Sequence, residues 1–210
     1  MLKGTDIKKG FLRARYKVAT SLLNINEQHV VRLASAMAPP TEDIGRWEET
    51  VAIHEAGHAV TAMALPHISV SYINILRETT AVNYGNSKQE LGDAIISLLA
   101  GGEAVKMSKR TRHMTTGDGQ DLHLAEIYAR TLLIVEGHNQ SAPDFERSVR
   151  RMLATAKMKA WEILMQHWPA VEAIAEVTRI LPILDQRKLH HLFEEHRQQK
   201  LEGISADCSV

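Results

Sequence analysis

The chain has 210 residues, 44% of them hydrophobic and 24% charged, an ordinary composition for one globular domain with appendages. Lys+Arg and Asp+Glu balance at 25 each, so no global charge argues for nucleic acid or an anionic membrane surface. A single cysteine, Cys208, excludes a disulfide framework and a cysteine-based zinc site, and an aromatic content of only 5% beside abundant Ala, Leu and Ile favours a mostly helical protein.

Met1 to Gly10 is basic and glycine-punctuated, and Phe11 to Ala38 has helical spacing. The basic residues there (Lys3, Lys8, Lys9, Arg13, Arg15, Lys17) read as a solvated helix face rather than a site for RNA or an acidic partner. Charges run throughout Met1 to Val18, so no signal peptide is expected, and no window reaches the length of a membrane span. A cytoplasmic protein is expected. Pro39-Pro40 stops any helix, and Thr41-Glu42-Asp43 can cap the next. The expected organisation is an N-terminal helical arm over 1–40, a core over 41–200 and a tail over 201–210.

The core opens on a helix from about Ile44 or Trp47 to Leu65, ended by Pro66. Between Val51 and Leu65 only His54, Glu55, His58 and Thr61 are polar, so this helix must be buried on most of its circumference. Buried imidazoles and a carboxylate need partners inside the protein, because unpaired buried polar groups are costly. His54 and His58 are four residues apart and lie one turn apart on one face, where both can point a nitrogen at one Zn²⁺. Glu55 sits beside the open side of such a metal, placed to take a proton from water. Gly57 costs about 1 kcal/mol relative to alanine in a helix, and the expected reason is a close-packed neighbour.

Ile68 to Leu76 and Thr79 to Tyr84 alternate and are β-branched, and read as two short strands or a hairpin. An exposed edge of that sheet could hold a peptide as an added strand. Gln89 to Met107 is a helix with the core stripe Leu91, Ile95, Leu98, Leu99 and Val105, and its Gly101-Gly102 suggests tight packing against another helix. A turn-rich stretch, Thr115 to Gln120, opens a helix from Asp121 to Val135, whose first-turn carboxylate suits the helix dipole. Helices follow over Ser148 to Trp168, Val171 to Ile180 and Asp185 to about Lys200. His190, His191 and His196 on the last helix are expected to be solvated. The fold class expected is mainly α, with a small β-hairpin or sheet beside the histidine-bearing helix.

At His54-Glu55-Ala56-Gly57-His58-Ala59 together with Thr115-Thr116-Gly117-Asp118-Gly119-Gln120-Asp121-Leu122, the chain resembles the peptidase domain of the FtsH-type ATP-dependent zinc proteases. The first segment is similar to that family's zinc signature, and the second to its Thr-Gly-x-x-x-Asp segment, whose aspartate is the third zinc ligand. The resemblance runs from about Trp47 to His191. It implies a helical zinc-peptidase domain in which His54, His58 and Asp121 bind Zn²⁺ and leave the fourth tetrahedral position to water. Glu55 is then the general base of a zinc metalloendopeptidase acting on flexible or unfolded polypeptides. The chain contains no Gly-x-x-x-x-Gly-Lys-Ser/Thr loop, so the resemblance implies stand-alone peptide hydrolysis, a separate ATPase partner, or a chain that is a fragment of a longer protein. The alternative is a non-catalytic regulatory or adaptor module whose zinc is closed by a fourth ligand such as His113, His123 or Glu126. The family works as hexameric rings, and a homo-oligomer is left open here.

Overall fold

The computed structural model describes residues 42–109, 111 and 119–207. The basic arm, His113, Thr115 to Asp118 and Cys208 lie outside them. The described chain is mainly helical with a small antiparallel sheet. In chain order it runs α1 (Glu42–Ala64), β1 (Ser69–Asn74), β2 (Thr79–Asn83), α2 (Lys88–Met107), α3 (Gly119–Val135), α4 (Phe145–Gln166), α5 (Trp168–Ile180), β3 (Ile183–Asp185) and α6 (Gln186–Asp207).

α1 is the central element. Ala52, Ala56, Ala59, Val60 and Ala62 are fully buried, and the helix packs against α2, α5 and the sheet. Small residues let the neighbours approach. A Cβ at Gly57 would lie 2.6 Å from the Ala104 Cβ and 2.9 Å from the Ala100 carbonyl oxygen, so the α1–α2 contact requires glycine there. That is the close-packed neighbour expected of Gly57. α2 itself is continuous through Gly101-Gly102 and starts with a capping box, in which Ser87 and Glu90 satisfy each other's backbone N–H.

One apolar cluster surrounds α1 and draws in Val70 and Ile73 of β1, Leu164 of α4, Ile174 of α5, and Leu189 of α6. A second lies between α2, α3 and α4, around Ile95, Leu99, Ala129, Leu133 and Val149. Each fully buried Ile or Leu contributes about 1.5–3 kcal/mol of burial, so these two clusters hold the helices in place.

The sheet has the order β2-β1-β3. β1 pairs antiparallel with β2 through an irregular register between Val70 and Tyr72. The expected hairpin is therefore present, but β1 also pairs antiparallel with β3, Ile73 opposite Leu184. This third strand corrects the expectation of a last helix starting at Asp185: Ile183–Asp185 is extended, and the helix begins at Gln186. The Ile75 N–H donates to the Pro182 carbonyl at 3.0 Å, which holds the segment after the proline against β1. Boundaries differ elsewhere too. α4 starts at Phe145 and ends at Gln166, and α5 starts at Trp168 with Pro169 in its first turn, where a missing N–H costs nothing. Among the described residues no helix is long and apolar enough to cross a membrane.

Candidate metal centre

His54 and His58 project from the same face of α1 into the contact with α2. Their rings meet edge to face, with centroids 4.6 Å apart at 83°, and both residues are buried. α3 enters from the other side and brings Asp121 in its first turn, 67 positions away from His54 in sequence. The His54 Nε2 lies 3.0 Å from the His58 Nε2. Asp121 Oδ2 lies 3.0 Å from His54 Nε2 and 3.3 Å from His58 Nε2. Three donor atoms thus form a nearly equilateral triangle, and these residues make up the group among the described residues that could hold a metal ion.

The chemistry of this triangle fits zinc. Donors 2.0–2.1 Å from a tetrahedral Zn²⁺ stand about 3.3–3.4 Å from one another, close to the separations seen. The His58 Nδ1–H donates to the Ser97 carbonyl of α2 at 2.7 Å, so in the neutral ring Nε2 carries a lone pair aimed at the centre. His54 Nδ1 is buried and has no hydrogen-bond partner. The site also needs room, and glycine supplies it: a Cβ at Gly101 would overlap the His58 Nε2 and come within 2.8 Å of the His54 Nε2. Two aromatic nitrogens and a carboxylate leave a tetrahedral ion one further position. Among the described residues no fourth His, Cys, Asp or Glu joins the group. His123 is exposed on α3, and Glu126 is committed to Arg130 at 2.8 Å, so neither closes the site. His190 and His191 are exposed on α6, away from it.

With no metal, the cluster is electrostatically tense. Burial opposes a charged imidazole at His58, but the hydrogen bond to Asp121 and the carboxylate of Glu55 outweigh it and raise its pKa to about 9. Burial likewise works against the Asp121 carboxylate, yet hydrogen bonds from His54 and His58 hold it well below the usual carboxylate range. A cation at the centre of the triangle would take over the role of that proton.

Glu55 follows His54 on α1 and is buried, with 3% of its surface exposed. Burial raises its pKa, partly offset by His58, His54 and Thr80. Its Oε2 accepts a hydrogen bond from the Thr80 hydroxyl of β2 at 2.7 Å. Thr80, Ser97 and Gly101 are the site residues that the sequence alone does not single out. The only trace of the last was the double glycine in α2. From Glu55 a groove of about 330 Å³ runs between the edge of β2, with Thr80 and Val82, and the facing residues Leu98, Asp121 and Leu124.

With that geometry in place, comparison with known proteins points the same way. The chain is 26% identical to ATP-dependent zinc metalloprotease FtsH 1 of Sphaerobacter thermophilus, over 70% of its own length and 28% of that protein's. It is 25% identical to the FtsH zinc metalloprotease of Mycoplasma mobile, over 71% of its length and 27% of the relative's. For FtsH 2 of Sphaerobacter thermophilus the identity is 25%, over 82% and 31%. The chain is distantly similar to the FtsH zinc metalloproteases. It spans under a third of the length of these relatives, and no protein-family profile matches it.

Proposed function

We propose that the protein is a zinc-dependent endopeptidase that hydrolyses peptide bonds in flexible or unfolded polypeptides. The observation that carries this reading is the convergence of His54, His58 and Asp121 on one point, with buried Glu55 beside it and a groove leading away. His54 and His58 would hold Zn²⁺ through neutral imidazoles, and Asp121 through a carboxylate oxygen. When bound, the ion supplies Lewis acidity that makes water a better nucleophile and polarises the peptide carbonyl.

The protein's own residues do the rest. Glu55 accepts the proton of the attacking water, and burial raises its pKa above the usual carboxylate value, which makes it a stronger base. The same carboxyl then delivers the proton to the departing amine nitrogen as the C–N bond breaks. Thr80 fixes the carboxyl's orientation by donating to Oε2. The Ser97 carbonyl fixes the His58 ring in the tautomer that exposes Nε2. β2 is an edge strand of the sheet, so its outer side can pair with an extended peptide and lay it across the site. The kinship with ATP-dependent enzymes suggests that a separate ATPase presents folded substrates.

The experiment is cleavage of unfolded casein by the zinc-loaded wild type and by Glu55→Gln. Cleavage is expected in the wild type, with a loss of about 10²–10⁴-fold in the variant and equal zinc content in both. Full activity in Glu55→Gln would remove Glu55 as the base. Zinc without cleavage in either protein would favour a regulatory module instead.

A further inference from the structure

The groove beside Glu55 does not run out freely at both ends. Along β2 its wall passes from Thr80, which touches Glu55, through Ala81 and Val82 to Tyr84 just beyond the strand. Along α3 the opposite wall passes from Asp121 to Leu124, and Tyr128 is the next residue on that face, one turn further on. The two walls then meet. The hydroxyls of Tyr84 and Tyr128 hydrogen-bond to each other, and the rings pack edge to face with centroids 5.6 Å apart at 67°. The four steps from Thr80 to Tyr84 span up to about 13 Å, and the seven from Asp121 to Tyr128 about 10 Å.

We propose that the Tyr84–Tyr128 bridge closes one end of the substrate groove and determines specificity by limiting the chain to about four residues on that side of the scissile bond. This inference rests on the peptidase reading and narrows it, from cleavage anywhere in an unfolded chain to cleavage near one of its ends. An extended peptide paired along β2 advances about 3.3 Å per residue, so its fourth residue reaches the tyrosines. A longer chain must part them. One hydrogen bond and one ring contact hinder rather than forbid that, which sets the preference at about tenfold. Burial and Tyr84 raise the Tyr128 hydroxyl to about 12. Tyr84 is 38% exposed, so its removal leaves the core intact.

The test measures binding first and cleavage second. Zinc-loaded Glu55→Gln protein is titrated with fluorescein-labelled Leu-Ala-Phe-Ala-Leu peptides carrying zero to ten Gly-Ser residues at either end. Affinity is expected to fall about tenfold once the extension on one end passes about four residues, and to be indifferent to length at the other. In Glu55→Gln/Tyr84→Ala the step is expected to vanish, and in Glu55→Gln/Tyr128→Phe, which keeps the ring and loses the hydroxyl, to shrink. Length-independent affinity at both ends, a step unchanged by Tyr84→Ala, or no binding by any peptide would each overturn the bridge. Mapping casein products with Glu55 intact then separates the two readings. Cuts near one terminus in wild type that spread inward in Tyr84→Ala support both. A length step in binding with no cleavage by wild type would sink the peptidase reading and leave the bridge standing.

Discussion

The two faces of α2 do opposite work. One face carries Ile95 and Leu99 into an apolar cluster with α3 and α4, where side-chain volume is the currency of stability. The other carries Ser97, Gly101 and Ala104 against α1, where the useful property is the lack of volume. There the helices approach closely, two imidazoles fit between them, and a backbone carbonyl orients one ring. A single helix is thus stabilised by its filled side while its empty side makes room for the histidines.

That contrast can be broken from either side. Leu99→Ala should lower unfolding free energy by about 2–5 kcal/mol, because a buried leucine leaves a cavity, while zinc affinity of the folded protein stays unchanged. Denaturant melts and zinc titrations on the same preparation check both halves. Gly101→Ala strikes the other face. Its new methyl collides with the two Nε2 atoms, so zinc affinity should fall by about 100-fold, a loss typical of disturbed ligand orientation. Unchanged zinc affinity in that variant would mean that the ion is held elsewhere.

Acid and base sharpen the same comparison, since His58 lies on the empty side. In the metal-free protein His58 has its pKa raised from 6.5 to about 9. A raised folded-state value contributes stability that is complete below pH 6.5 and lost as pH rises through 9. The Tm of the metal-free protein should therefore fall between pH 6.5 and 9. Zinc displaces the His58 proton, so zinc affinity should climb with pH by about tenfold per unit up to pH 9. A Tm that rises over that window would contradict the assignment. The smallest effect belongs to Ser97→Ala, expected to change zinc affinity less than about threefold. The acceptor for His58 is the backbone carbonyl, which the substitution keeps, and only a 3.3 Å hydroxyl bond to the His58 carbonyl is lost.

Much of this was legible in advance, for physical reasons that can be named. The apolar circumference around His54, Glu55 and His58 announced a buried helix with polar work to do, and β-branched alternation announced β1 and β2. Asp121 was legible only through family resemblance, because in its own surroundings it is an ordinary first-turn acid 67 positions from His54. β3 was hidden: three residues after Pro182 are too few to show a period, and its pairing with β1 is decided by tertiary packing. The α4–α5 boundary had a local signal, Pro169, that marks a helix start rather than an interior. Thr80 gave no sign at all, since a strand threonine is unremarkable until a helix carboxylate is seen against it.

The central claim is that two imidazoles and one carboxylate bind a single zinc with one position left over. X-ray absorption at the zinc edge of the purified, zinc-loaded protein tests it most directly. One zinc per chain is expected, with four nitrogen or oxygen neighbours at about 2.0–2.1 Å, two of them imidazoles. Failure to bind zinc, or a centre with three or more imidazoles, would contradict it.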